Sequence, residues 1–436
     1  MDEKEQKRKH ANYLRTQKNY PEALVIFQEL CVDTLSDETK WDYWGLSYCL
    51  LRLRRYDECM DICRQLYNMY PDFETGNNNY GWALYYKHIK VEQPVLSDAL
   101  QAGEEIIRYT NPKNKFTPYH STVFKLLEML KKEGSNEAET FFEWIEKVHP
   151  KELDDTIQKN NDEAGFPPTS TLREKYYMLK TSALLEFGLF EECLQSCDIA
   201  IRMTEKPMYN QSYWFKRQKA LVYKEMKNYD KALSIMHDII RVKKDWRAFY
   251  DFAEMLYEVG DSESALLYSL QSALRDRNGD LRQELYMLLY ELLMEKGMEQ
   301  EAADHLFLIK DMRETLGLEP DEGVLNLLTK LENSITAKPI IEIQEDLANL
   351  WKELLFESPE NQHGAVLRIL PNGHSGFVKS DLGGSYYFQM SEYLGNRRAI
   401  REGLRVKFIL EEGYDFKKDQ DVKVATFIRP VEKEIF

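Results

Sequence analysis

The chain is poor in the features that announce extracellular, membrane or catalytic chemistry. Its 436 residues include only six cysteines, Cys31, Cys49, Cys59, Cys63, Cys193 and Cys197. That number and spacing exclude the dense disulfide framework of a small secreted domain, and reduced thiols are expected. No apolar run approaches the roughly 18 residues of a membrane span, and the opening MDEKEQKRKH lacks the apolar core of a signal peptide. A cytoplasmic protein without a membrane partner is expected. Basic residues are in the minority: 58 Lys plus Arg against 74 Asp plus Glu give a net charge of −16. That balance excludes a surface that coats duplex nucleic acid or anionic membrane as a whole, while leaving room for a local basic face.

Catalytic signatures are equally scarce. The eight histidines are scattered, with no His-Glu-x-x-His helix, and no Gly-rich loop ends in Lys-Ser or Lys-Thr. No two of the many acidic residues stand out as an acid and base pair. The expectation is a protein that is not an enzyme, with no catalytic residue, cofactor or metal.

What the chain does have is core material and a repeat. Apolar residues make up 43% and charged residues 30%, enough to fold. Length alone suggests about three domains. A recurring phrase changes that count. Tyr20-Pro-Glu-Ala23 with Phe27 and Leu30 returns as Tyr56-Asp-Glu-Cys59 with Cys63 and Leu66, Phe190-Glu-Glu-Cys193 with Cys197 and Ala200, and Tyr229-Asp-Lys-Ala232 with Met236 and Ile239. A small residue with apolar groups four and seven further on makes one helical stripe. Weaker copies centre on Ala99, Ala138, Ala265 and Ala302. Within the two runs the intervals are 33 to 40 residues, the length of a helix pair. Amphipathic helices precede most copies, as at 41–53, 120–132, 176–187, 213–226, 246–259 and 281–296. Gly188, Gly260 and Gly297 fall in the breaks, and Pro71 and Pro150 end two copies. Cys59/Cys63 and Cys193/Cys197 occupy the repeat's small and apolar positions, so buried packing is expected of them in preference to zinc.

Residues 1–310 thus resemble the tetratricopeptide repeat family. The resemblance implies a mainly helical superhelix of about eight helix pairs whose first helices line a groove for a protein or peptide. Some family members hold a chaperone's terminal carboxylate in a clamp of Asn and basic residues. Arg8 and Asn12 match its first pair, but the next Asn falls on Gly45 and the last basic positions fall near Thr75 and Asn79. Chaperone-tail binding is therefore not expected, and Arg8, Asn12 and Asn79 remain as peptide-groove candidates.

The array divides into halves, 1–150 and 173–310, around an insertion at 151–172, KELDDTIQKNNDEAGFPPTSTL, whose Pro-Pro and Asn-rich content cannot continue a packed helix. Either a flap or a tolerated surface loop fits it. Residues 311–357 read as capping helices, with Ile343, Leu347, Leu350, Trp351, Leu354 and Leu355 forming one face.

At 358–436 the period changes from 3.6 to 2, with strands expected at 364–369, 376–380, 385–390, 405–411 and 422–429. Five short strands suggest a small antiparallel β-barrel. Gly364-Ala-Val366, Gly376-Phe-Val378, Tyr386-Tyr-Phe-Gln-Met-Ser391, Glu402-Gly-Leu-Arg-Val-Lys-Phe408 and Val424-Ala-Thr resemble the cold-shock type of OB-fold. The resemblance implies single-stranded RNA or DNA stacked on aromatics of the second and third strands. Phe377 and Tyr387 keep two of those positions, with packing of the barrel as the alternative role. Ser375, preceded by His374, replaces another aromatic, Gln389 stands where His is usual, and Met390 where Phe is usual. Arg368 stands where Trp is frequent and can itself stack. Lys379, Arg397, Arg398, Arg401 and Arg405 are the basic residues available to offset the lost rings. Residues 361–436 hold 12 basic and 10 acidic residues, a balance of +2 against −18 for the rest, so this region is the better nucleic-acid surface.

The function expected is a non-enzymatic adaptor, with a repeat groove for a protein or peptide and a barrel for single-stranded RNA or DNA. The alternatives are a pure protein-interaction scaffold whose barrel docks a partner, or the regulatory subunit of a separate effector enzyme.

Overall fold

The computed structural model describes residues 3–32, 34–114, 116–153, 171–203, 212–275, 282–332, 334–415 and 418–431. Two compact units divide between residues 209 and 210. In the first, α1 (Glu3–Thr16) packs on α2 (Tyr20–Leu30), α3 (Lys40–Arg52) on α4 (Tyr56–Met69), α5 (Glu74–Leu84) on α6 (Leu96–Tyr109), α7 (Tyr119–Lys132) on α8 (Ala138–Glu146), and α9 (Leu172–Glu186) on α10 (Phe190–Met203). The second continues with α11 (Ser212–Glu225) on α12 (Tyr229–Val242), α13 (Trp246–Glu258) on α14 (Ser262–Arg275) and α15 (Gln283–Glu295) on α16 (Glu299–Thr315). Eight pairs are thus present among the described residues. No helix among them is long and apolar enough to cross a membrane.

The repeat positions explain the pairing. Ala23, Cys59, Ala99, Cys193, Ala232, Ala265 and Ala302 are all fully buried, each letting its helix approach a neighbour closely. Ala138 differs: it opens α8 and is only half-buried, and Phe141, Trp144 and Ile145 fill that helix's core face. Gly45 is also a packing position. A Cβ there would lie 2.4–2.9 Å from the Phe27 ring, so α3 sits closer to α2 than any other residue allows.

The turns repeat as well. Lys18, Arg54, Gly188, Lys227, Gly260 and Gly297 all adopt positive φ, and after each the next residue donates back to a carbonyl five positions earlier, as Asn19 does to Leu14 and Asp261 to Leu256. This is the Schellman ending that satisfies orphan helix carbonyls. A second repeated device joins successive first helices. Arg8 Nε bonds both carboxylate oxygens of buried Asp42 at 3.1 and 2.9 Å, and Arg217 binds buried Asp251 with the same separation of 34 residues.

Of the insertion, residues 154–170 lie outside those described. Its flanks are tied together: Arg173 donates to the carbonyls of Pro150 and Leu153 at 2.8 and 3.1 Å, and Thr171 with Glu174 forms a capping box at the start of α9.

Past α16 come α17 (Glu322–Leu331) and α18 (Ile340–Phe356). Ile343, Leu347 and Trp351 are buried on the helical core. Trp351 Nε1 donates to His305 Nε2 at 3.0 Å, and His305 Nδ1 lies 2.7 Å from the Glu301 carbonyl. His305 therefore carries its proton on Nδ1, and burial pushes it down to about 4. The last turn of α18 serves a second neighbour, because Leu355 and Phe356 share a buried cluster with Ile409 and Phe427 of the sheet that follows.

That sheet comprises β1 (Asn361–Ile369), β2 (Ser375–Ser380), β3 (Ser385–Gln389), β4 (Arg405–Asp415) and β5 (Gln420–Pro430). The order β1-β2-β3-β5-β4 closes on itself through β1 and β4, with β3 and β5 parallel. Val366, Val378, Phe388, Val406, Phe408 and Ile428 fill the interior. Gly376 is obligatory here, since a Cβ would meet the Arg368 carbonyl at 2.6 Å and the Phe388 ring at 2.7 Å.

The sheet docks on α12, α14 and α18 through a buried cation. Arg275 lies over the Phe249 and Phe427 rings at 4.0 and 4.4 Å, and its guanidinium meets Glu411 at 2.6 Å. Lys244 reaches the same carboxylate at 2.9 Å. Phe427 takes φ +49° at an irregularity where β5 runs past β4, a conformation costing on the order of 1–2 kcal/mol. The bulge turns its ring out of the interior and onto Arg275, which offsets that cost. Burial alone would raise the Glu411 carboxyl, but Arg275 and Lys244 overcome it and hold the group at about 2.

Glu411→Gln should lower the stability of the second unit by about 3 kcal/mol, because the buried Arg275 side chain and the half-buried Lys244 lose their anion. Urea unfolding followed through the unit's aromatics measures it, and an unchanged midpoint would contradict the docking role. In the wild type this contribution is complete above pH 4.5, the ordinary Glu value, and is lost as pH falls toward about 2.

Candidate functional site

The alternation of β1 to β3 sorts side chains into two sets. Val366, Val378 and Phe388 point inward. Arg368, Phe377 and Tyr387 are register partners across the three strands and point outward. A bulge at Leu367 shifts β1 by one residue, placing Arg368 beside Phe377. The Arg368 guanidinium lies 4.8 Å from the Phe377 ring centroid, and the Phe377 and Tyr387 rings meet edge to face at 5.8 Å and 73°. Phe377 is half-buried and Tyr387 is 37% exposed. Arg368 therefore offers its own planar face where it covers the Phe377 ring.

Tyr387 also borders an open cleft of about 540 Å³ at the end of β2 and β3, which His374, Gln389 and Arg397 line with it. The loop edge is held by local bonds: the His374 amide donates to Asn372 Oδ1 at 3.0 Å, and the Met390 amide to the His374 carbonyl at 2.8 Å. The volume falls within the roughly 300–1,000 Å³ of small-ligand pockets. Chemically, the arrangement presents two rings, two guanidinium groups, an imidazole and a carboxamide on one face.

The other sequence candidates are dispersed. Lys379 is exposed further along β2, and Arg398 and Arg401 are exposed in the segment after β3 without lining the cleft. Arg405 is already committed: it binds Asp381 in a two-bond pair at 2.8 and 2.5 Å and holds that carboxyl below its ordinary range. Ser375 is buried and Met390 packs against the interior, and both border the cleft. Asn372 and Ser391, which also line the cleft, were not singled out from the sequence. Their positions beside His374 and Gln389 were the available signal.

The candidates in the repeat groove fare differently. Arg8 is taken by Asp42 and by the Glu38 carbonyl, and Asn12 donates to the Arg8 carbonyl while accepting from Arg15. Asn79 is buried and donates to Ser47 Oγ at 2.9 Å, joining α5 to α3. Arg8 and Asn79 thus serve bonds between helices, and Asn79 also lines a cavity with Arg15 and Asn78. Cys59, Cys63, Cys193 and Cys197 are buried in the helix pairs.

No protein-family model and no curated protein matches the chain. Among solved structures, similar chains include BtubC (BKLC) from P. vanneervenii, 15% identical over 52% of this chain and 92% of that one, with TM-score 0.36. A tetratricopeptide repeat protein from Parabacteroides merdae is 12% identical over 75% and 97%, with TM-score 0.31. Human IFIT1, in a dimer structure with m7Gppp-AAAA, is 15% identical over 80% and 79%, with TM-score 0.35.

Because the two rings lie on the outer face, Phe377→Ala with Tyr387→Ala should leave the fold in place, with circular dichroism unchanged and a stability loss of about 1 kcal/mol or less. Collapse of the sheet would assign these rings to packing alone.

Proposed function

We propose that this protein is a non-enzymatic adaptor: a tetratricopeptide-like helical array that binds a protein or peptide, carrying an OB-fold of the cold-shock type that binds single-stranded RNA or DNA. The observation that carries the second half is the row Arg368–Phe377–Tyr387 on the outer face of β1 to β3, leading into the cleft with His374, Gln389 and Arg397. The closed order β1-β2-β3-β5-β4 with a parallel β3–β5 contact supports the OB-fold reading, and OB-folds bind oligonucleotides on the second and third strands. In this reading, bases stack on Tyr387 and on the Arg368 plane, while Arg397 meets the phosphate backbone.

A second reading has specific support. Ser375 is buried and Met390 half-buried where rings would extend the stacking surface, and β4 and β5 already dock on helices. The sheet would then serve protein docking, in a scaffold or in the regulatory subunit of a separate enzyme.

Fluorescence anisotropy of labelled single-stranded RNA and DNA with the full chain distinguishes them. Binding that weakens with salt, and weakens about 30-fold in the Phe377→Ala/Tyr387→Ala variant, from roughly 1 kcal/mol for the stack on Tyr387 and roughly 1 kcal/mol for the stack on the Arg368 plane that Phe377 supports, is expected. No binding, or binding indifferent to both rings, favours the scaffold.

A further inference from the structure

The first unit holds a groove whose chemistry names its occupant, given the reading above that the array binds a peptide. The first helices of its five pairs, α1, α3, α5, α7 and α9, line a cavity of about 860 Å³. In a chain of net charge −16, this lining carries five cations, Arg15, Arg52, Lys90, Lys125 and Lys175, and one acid, Glu128. Lys125 and Lys175 share Glu128 at 3.5 and 3.2 Å. Among the described residues, no carboxylate lies within ion-pair distance of Arg15, Arg52 or Lys90. Three cations thus face the groove without a counter-charge.

The aromatic lining is turned inward on itself. Arg15 lies over Trp44 and Tyr48 at 4.8 and 5.3 Å, and Tyr86 is stacked between Trp82 and Tyr56 at 5.7 and 6.3 Å. Each of these rings is thus covered on at least one side, while Phe116 of the same lining is 74% exposed. The ring edges carry the positive part of the ring quadrupole, which suits carboxylates.

A further observation separates a peptide from a polyphosphate. Thr75 Oγ1 and Asn78 Oδ1, one turn apart on α5, are buried in the lining with no hydrogen-bond partner, and Asn78 is only 5% exposed. An amide oxygen in that position needs a donor. A peptide main chain supplies N–H groups, whereas ionised phosphates supply none.

We propose that this groove binds an extended acidic peptide segment, its carboxylates on Arg15, Arg52 and Lys90 and a main-chain N–H on Asn78 Oδ1. The test selects a random dodecapeptide library on the full chain, then measures anisotropy of the labelled selected peptides. Selected sequences should show a clear excess of Asp and Glu. Their affinity should fall about tenfold in the Arg15→Gln/Arg52→Gln/Lys90→Gln variant, with its helical circular dichroism retained, and should fall also with Asn78→Ala. Phe377→Ala/Tyr387→Ala should leave it unchanged. Neutral or basic sequences whose binding is lost with Trp82→Ala would overturn the acidic preference while sparing the peptide groove. Absence of any selected peptide would overturn both. Binding of a single-stranded uridine dodecamer that the triple Gln variant abolishes would give the groove to nucleic acid and overturn the proposal.

Discussion

The second unit depends on one buried cation. Arg275 ends α14 with its guanidinium held between Phe249 and Phe427 and paired with Glu411. Removing two charges from water is costly, and only close geometry with several partners repays it. Here the partners come from both layers: Phe249 and Lys244 from the helical side, Phe427 and Glu411 from the sheet. A pair of this kind is specific in position, because any slip leaves a buried charge unmatched. The left-handed backbone at Phe427 is retained for the same reason, since it aims that ring at the cation.

Docking through β4 and β5 determines which surface is left. Ile409, Glu411 and Phe427 are consumed by helices, while Arg368, Phe377 and Tyr387 on β1 to β3 stay outside. The Arg368–Phe377–Tyr387 row is therefore carried on a face whose neighbours are fixed, and its two rings need no rearrangement to be presented. Pre-organisation of this kind would lower the entropic cost of the single-strand binding proposed for this face.

Much of the helical architecture was legible because its period repeats. A small residue with apolar groups at four and seven occurs in copy after copy, and burying it requires a partner helix each time. The strands were legible through alternation, since Val366, Val378 and Phe388 must face one way and Tyr387 the other. The Arg–Asp pairs at a separation of 34 residues were equally present in the sequence, yet Arg8 drew attention through a clamp motif and not through its bond to Asp42. The dock was not legible: Arg275 and Glu411 are 136 residues apart, and each reads alone as an ordinary surface charge. The cationic groove was hidden similarly, because its residues come from successive repeats of an acidic chain and no local window collects them.

The central proposal is that the outer face of β1 to β3 binds single-stranded nucleic acid. Hydrogen–deuterium exchange of the full chain with and without a single-stranded uridine oligonucleotide addresses that face directly. Slowed exchange across 368–391, with β4, β5 and the helices beneath them unchanged, is the result predicted. Unaltered exchange across 368–391, or slowing confined to the helical array, would contradict it.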